Sequence, residues 1–106
     1  MSVAEITVVK KQLWNHPQTR AYLRYGRYFS KPELWALAAK IRRGLSGTDR
    51  DIVPIFEQYG VLTLLARWKR VVYVVRYDPK NHRIVTFLPK DERLPESVKE
   101  ALRKCA

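Results

Sequence analysis

The sequence is poor in cysteine and histidine. Cys105 is the single cysteine among 106 residues, so an intrachain disulfide is excluded. With only two histidines as well, a zinc centre is not expected, and we predict neither a metal nor a cofactor. No apolar run approaches the roughly 20 residues of a membrane span, and the N-terminus lacks the layout of a signal peptide. These absences predict a cytoplasmic protein that makes no membrane contact.

Negative charge is also scarce. Lys and Arg number 21 against 10 Asp and Glu, which gives a net charge of +11 and a pI near 10.2. Between Glu57 and Asp91 the only carboxylate is Asp78. An excess of this size predicts a polyanionic partner, and nucleic acid is the commonest one. Many Arg beside few Asn, Gln, Met and Cys is typical of a thermophilic source.

Hydrophobic periodicity and turn residues predict one α+β domain over residues 1–106. Ser30 and Glu33 form a capping box for the second helix, and Asp51 is the expected cap of a short third helix that Gly60 closes. The predicted elements are a strand at 5–9, a helix from Pro17, a helix after Ser30, a helix at Ile52–Tyr59, strands at Val61–Trp68, Val71–Tyr77 and Arg83–Leu88, and a helix at Pro95–Lys104. This β-α-α-α-β-β-β-α order predicts helices packed on one face of a small antiparallel β-meander.

Strand parity sorts the predicted sheet into two faces, because side chains alternate along a strand. The face expected against the helices is apolar and comprises Leu62, Leu64, Ala66, Trp68, Val71, Tyr73, Val75, Tyr77, Val85 and Phe87. The outer face comprises Thr63, Leu65, Arg67, Lys69, Val72, Val74, Arg76, Ile84, Thr86 and Leu88. Its basic residues have no acidic partner on the same strands. The outer face is therefore either a solvated surface or a ligand-binding surface.

The first helix carries a second basic set. Arg20, Arg24 and Arg27 follow i, i+4, i+7 spacing and are expected to share a face. Beside them, tyrosines recur every three residues at Tyr22, Tyr25 and Tyr28. Such rings either pack at the edge of the core or form a stacking platform beside phosphate-binding arginines. The second interpretation favours single-stranded nucleic acid, RNA over DNA, with the predicted contacts Arg20, Arg24, Arg27, Tyr25, Lys69 and Arg43.

The sequence lacks the motifs of most enzyme classes. The sequence has no Gly-rich phosphate loop, no nucleophile elbow and no carboxylate cluster for magnesium. Metal-free RNA cleavage stays open, because the ribose 2′-hydroxyl is the nucleophile and the protein needs only to move protons and stabilise the phosphorane. The candidates for proton transfer are His16, His82 and Tyr28. His16 could instead cap the first helix, and His82 could instead be a solvated residue of a turn.

Helices followed by an antiparallel meander that closes on Arg83-Ile84-Val85-Thr86-Phe87-Leu88 resemble the barnase–RelE-like superfamily of small ribonucleases. The resemblance covers residues 17–90 and implies a metal-independent endoribonuclease of the toxin or phage type, with an acidic, antitoxin-like protein as a further partner. It also implies a site with a basic residue on a central strand and a hydroxyl on the last strand. The basic position is matched by Arg67 or Arg76, and the hydroxyl position is matched by Thr86. The predicted catalytic set is completed by Tyr28 and His16. The outer face has no Glu, so the carboxylate base of barnase is missing.

Two other functions fit parts of the pattern. Three helices followed by a β-hairpin describe a winged-helix DNA-binding protein. The predicted third helix is apolar and acidic, so the second helix, with Lys40, Arg42 and Arg43, would have to be the reading element. Alternatively, the basic surface docks on an acidic protein partner as an inhibitor would.

Overall fold

The computed structural model describes residues 17–47, 49–91 and 93–105. Its elements are α1 (Pro17–Tyr25), α2 (Lys31–Ser46), β1 (Ile52–Gln58), β2 (Val61–Trp68), β3 (Val71–Asp78), β4 (Arg83–Leu88) and α3 (Glu96–Cys105). The strands form one antiparallel meander in the order β1-β2-β3-β4. The α+β class and the meander are confirmed, but the predicted element order is wrong, because two helices and not three precede the sheet within the described ranges. The strand predicted at 5–9 lies outside them.

The predicted third helix is instead the edge strand β1. Tyr59 and Gly60 have φ values of 54° and 75°, as a two-residue hairpin turn requires, so Gly60 closes a hairpin rather than a helix. Pro54 is tolerated because β1 is an edge strand, and the nitrogen of Pro54 faces away from β2 and interrupts no bond of the ladder. A register irregularity between Pro54 and Phe56 adds a β-bulge to this edge. The third helix that a winged-helix protein needs is therefore a strand.

The parity predicted for β2 and β3 is confirmed, and that of β4 is confirmed only in part. Arg76 and Thr86 share the outer face as predicted and lie opposite each other, but the register then shifts, so that Tyr77 lies opposite Ile84. Ile84, predicted on the outer face, is buried in the core beneath the helices, and Val85, predicted in that core, is 38% exposed. These two predictions are wrong because a bulge adds one residue to β4, which periodicity alone does not show.

Helices α1 and α2 cover one face of the sheet. Their buried side chains pack with the predicted apolar face into one core, whose members are Ala21, Phe29, Leu37, Ala38, Ile41, Ile52, Leu64, Ala66, Tyr73, Val75, Tyr77, Ile84 and Phe87. The N-cap half of the predicted capping box is present, since the Ser30 hydroxyl accepts a hydrogen bond from the Glu33 backbone N–H at 3.2 Å. This hydrogen bond fixes the start of α2.

Helix α3 lies against the opposite face of the sheet. Leu94 and Val98 pack there on Leu65 and Val74 in a second, smaller core. The prediction that all helices share one face is therefore wrong. The physical reason is that the outer face carries apolar side chains of its own, which are stabilised by removal from water. None of the helices in the described ranges has the length and apolar character needed to cross a bilayer.

Candidate nucleic-acid interface

The arginines predicted to share one face of the first helix do not do so. Helix α1 ends at Tyr25, and Gly26 follows in the left-handed region at φ 68°. Arg20 and Arg24 lie on the helix, whereas Arg27 lies beyond its end. The i, i+4, i+7 spacing therefore does not produce a single basic stripe.

Arg24 and Arg27 make internal contacts. The Arg24 guanidinium donates to the Phe87 carbonyl of β4 at 2.5 Å. The Arg27 guanidinium pairs with Glu33 at 2.9 Å, and this hydrogen bond, followed by that of Lys69, holds the pKa of the Glu33 carboxyl below its ordinary value. Arg24 thus links α1 to β4, and Arg27 links the segment after α1 to the start of α2.

Tyr25 occupies a structural position at the end of the β3–β4 ladder. Its hydroxyl donates to the Leu88 carbonyl at 2.6 Å and accepts from the Val74 N–H at 3.0 Å. Its ring lies 4.8 Å from that of Tyr73, centroid to centroid. Burial raises the pKa of Tyr25 to about 12. The ring packs at the edge of the core, which is the first of the two interpretations given above.

The neighbouring tyrosines are more open. Tyr22 is 58% exposed and Tyr28 is 61% exposed, and the Tyr28 hydroxyl accepts a hydrogen bond from the Gln18 side chain at 3.2 Å. Tyr28 lies between the two helices, on the helix-covered side of the sheet, so it is separated by the sheet from the outer-face residues predicted to act with it.

On the outer face, Arg67 interacts with the end of α3. Its guanidinium donates to the Cys105 carbonyl at 2.9 Å and lies 4.0 Å from the Asp51 carboxylate. A cation at a helix C-terminus satisfies a carbonyl that has no partner in the helix and complements the helix dipole. Arg67 therefore stabilises α3 on the sheet.

Arg76 and Thr86 are brought together as predicted. They face each other across β3 and β4, and Thr63 lies on the other side of Arg76 on β2. The Thr63 hydroxyl and the Arg76 Nε are buried and have no hydrogen-bond partner among the described residues. Arg67 is four residues from Thr63 along β2, or about 13 Å at the usual rise per residue, so the two predicted arginines do not converge.

Lys69 lies in the tight β2–β3 turn. It pairs with Glu33 at 3.4 Å, and the φ values of Lys69 and Arg70 are 48° and 70°. A non-glycine residue is strained in this left-handed region. His16 lies outside the described residues. Of the four predicted catalytic residues that the structure describes, only Arg76 and Thr86 therefore share one location.

A groove on the other side of the molecule combines aromatic, histidine and arginine side chains. Its volume is about 470 Å³. One wall is α2, with Leu34, Trp35 and Ala38, and the other is residues 82–85 at the β3–β4 hairpin; Pro17 also lines it. We call it the Trp35 groove. Trp35 is 68% exposed. A smaller depression lined by Trp35, His82 and Arg42 continues the groove along α2.

The cations beside the Trp35 groove are unpaired within the described chain. Arg42, Arg43 and Arg83 form no ion pair with any described residue, whereas Lys40 on the same helix pairs with Asp51 at 2.7 Å. We call Arg42, Arg43, His82 and Arg83 the helix–hairpin surface. Among the described residues, no carboxylate lines the groove, the Trp35–Arg42 depression or a further depression at Arg42 and Arg43. The groove thus brings together positive charge that no ion pair with a described residue compensates.

Asp78 is the acidic residue nearest in register, since it pairs with Arg83 across the strands. Its carboxylate accepts hydrogen bonds from the backbone N–H of Lys80 and from both the backbone and the side-chain amide of Asn81. The Asn81 side chain is the main cause that lowers the pKa of Asp78. These bonds hold the hairpin turn that presents His82, whose own φ is 53°.

Sequence reasoning did not single out Trp35 or Arg83 as binding residues. The signal for Trp35 was available, because the apolar stripe of α2 that begins at Leu34 passes beside it and leaves its ring on the outward face. Arg83 had no local signal, since its position depends on how the hairpin meets α2.

Comparisons with known proteins gave no match to a protein family, to a curated protein or to a solved structure. Among the described residues, no group of three or more His, Cys, Asp or Glu side chains is placed to hold a metal ion.

Proposed function

We propose that this protein binds nucleic acid, with RNA favoured over DNA, through the helix–hairpin surface. The observation that carries the proposal is a set of arginines without ion-pair partners beside an exposed tryptophan, in a groove that no carboxylate of the described chain lines. Arginine binds phosphate oxygens in a bidentate manner, and an aromatic ring offers a stacking surface to a base. The net charge of +11 adds a long-range attraction for the same ligand.

The test is the salt dependence of binding. We would compare short single-stranded and duplex RNA and DNA with the protein and with the triple variant Arg42→Gln, Arg43→Gln, Arg83→Gln. Since each phosphate contact on a single strand contributes about −0.7 to the slope of log K against log salt concentration, loss of three contacts should reduce the slope by about 2.

A matched control removes the same charge elsewhere. The control is the triple variant Lys99→Gln, Arg103→Gln, Lys104→Gln. These positions are on α3, against the other face of the sheet, and the variant lowers the net charge by as much as the test variant does. We expect this control to keep most of the affinity. If both variants lose affinity equally, binding is a general charge effect and the proposed surface is wrong. If no nucleic acid binds even at low salt, the proposal fails and an acidic protein partner becomes the better explanation.

A metal-independent endoribonuclease is the sharper candidate. The specific observation is that His82 lines both the Trp35 groove and the depression that contains Arg42. Histidine is the side chain used most often for proton transfer. It would take the proton of the ribose 2′-hydroxyl as that oxygen forms a bond to the phosphorus, while arginines stabilise the charge of the phosphorane. The P–O5′ bond then breaks to give a 2′,3′-cyclic phosphate, and the departing 5′-oxygen takes a proton from water. The resemblance of layout to small ribonucleases implies the same reaction at a different place, the outer-face pair Arg76 and Thr86.

Cleavage is tested on single-stranded RNA in EDTA. Loss of cleavage in His82→Gln, with binding retained, would assign the chemistry to the groove. Loss in Arg76→Ala and Thr86→Val, with His82→Gln still active, would assign it to the outer-face pair instead. RNA that carries 2′-deoxy sugars must resist cleavage in either case, and cleavage of that substrate would refute the mechanism.

A further inference from the structure

Trp35 is unusual for its exposure in a regular helix. It is 68% exposed at the second turn of α2, and the residues around it on the outward face, Ala36 and Ala39, are too small to cover its ring. A large aromatic ring left in water sacrifices the stabilisation that its burial would give. The burial of Leu37, Ala38 and Ile41 against the sheet fixes the rotation of α2, so the ring is held at the wall of the groove.

The walls of the Trp35 groove match the parts of a nucleotide. Leu34, Ala38 and Val85 supply an apolar lining beside the indole, and His82 and Arg83 stand on the hairpin side. Small-ligand sites have volumes of roughly 300–1,000 Å³, and the groove measures about 470 Å³. A flat apolar base against the ring, with its phosphates toward the arginines, satisfies both the lining and the charge.

We infer that the Trp35 groove binds one unstacked base of a single-stranded nucleic acid, with the adjacent phosphates on Arg83 and Arg42. This inference rests on the proposed function and deepens it, because it states which form of nucleic acid is selected. Bases within a duplex are stacked on both faces and cannot offer a face to an indole. Only an unpaired base can enter, so selectivity for single strands follows from Trp35 and not from the arginines.

The bulge in β4 explains why the groove exists at this place. The additional residue directs Ile84 into the core and leaves Val85 half-exposed beside α2. Regular pairing would have buried Val85 against the helices, so the bulge is what turns this end of the sheet into a recess.

The experiment compares Trp35→Ala and Trp35→Phe with the unaltered protein, using a short labelled single-stranded RNA and the duplex of the same sequence. Loss of an aromatic stacking partner costs about 5- to 150-fold in affinity, so we expect that loss for Trp35→Ala on the single strand. Trp35→Phe should keep most of the affinity, and neither variant should alter duplex binding or the salt slope. Because the ring is exposed, both variants should unfold in urea as the unaltered protein does.

A second readout needs no polymer. Adenosine monophosphate should shift the indole N–H resonance of Trp35, assigned from its absence in Trp35→Phe, and ribose 5-phosphate should shift it much less. The inference is overturned if Trp35→Ala binds the single strand as tightly as the unaltered protein does, or if it loses the same affinity for the single strand and the duplex. In either case salt-dependent binding would still support the proposed function. Absence of binding to every nucleic acid would instead refute the proposed function itself.

Discussion

The hydroxyl of Tyr25 provides the sharpest stability test. It bridges the Val74 N–H and the Leu88 carbonyl, at 3.0 Å and 2.6 Å, where a direct backbone hydrogen bond would otherwise close the ladder. Val74 is completely buried. Tyr25→Phe keeps the ring in its contact with Tyr73 and removes only the bridge. Two backbone groups then lose a partner without gaining water.

The magnitude follows from that count. A buried polar group left unsatisfied costs about 1–3 kcal/mol, and partial closure of the strands recovers some of the loss, so we expect about 2–3 kcal/mol for Tyr25→Phe. A domain of this size loses about 4–8 °C of Tm per kcal/mol, which predicts a decrease of about 10–20 °C. Urea unfolding followed by circular dichroism gives the free energy. Tyr22→Phe, on the same helix and 58% exposed, is the matched control and should change it by less than about 0.5 kcal/mol.

The same hydroxyl predicts a pH dependence. Burial raises the pKa of Tyr25 from its ordinary value of 10.0 to about 12 in the folded protein. The unfolded chain therefore releases this proton first, so the contribution to stability is complete below about pH 10 and is lost as the pH rises to about 12. The difference in free energy of unfolding between the unaltered protein and Tyr25→Phe should shrink over that interval. A difference that stays constant over this interval would refute the raised pKa of Tyr25. A Tyr25→Phe variant no less stable than Tyr22→Phe would show that the bridge contributes nothing.

Three further substitutions test other parts of the fold. Arg70→Gly should stabilise the protein by about 1 kcal/mol, because it relieves a left-handed residue at φ 70°, whereas Arg70→Ala should not; equal effects in urea unfolding would contradict the strain. Gly44→Ala should lower the free energy of unfolding by about 1–3 kcal/mol, although alanine has the better helix propensity, because the new Cβ would lie 2.8 Å from the Ile52 Cβ. Gly47→Ala, whose new Cβ makes only an ordinary contact, should be nearly neutral in the same assay. Arg67→Ala should speed amide hydrogen exchange in α3 more than in α2, and equal changes in both helices would refute its role at the end of α3.

Much of the fold follows from local pattern. The strands β2 and β4 have the predicted bounds, and the start of α2 was readable from Ser30 and Glu33 because a capping box is a local hydrogen-bond exchange. The Ile52–Tyr59 prediction failed because Asp51 and Gly60 suit the ends of a helix and the ends of an edge hairpin equally well. In that segment the pairing with β2, a tertiary contact, decides the conformation.

The candidate site was less predictable because counting charges does not show which of them are paired. Lys69 meets Glu33 from 36 positions away, and Arg67 meets the carbonyl of Cys105 from 38 positions away. Such partners are set by the path of the chain and not by local spacing. The position of α3 has the same origin, although Leu65 and Val74 on the outer face were a sign in the sequence that something must cover them.

The proline and the bulge of β1 have a consequence for self-association. An edge strand with a regular row of free N–H and C=O groups can template pairing with a second copy of the chain and so begin a growing sheet. At β1 the row is interrupted, because Pro54 offers no N–H and the irregularity before Phe56 disturbs the spacing of the groups that follow. This side of the meander is thereby protected against edge-to-edge aggregation.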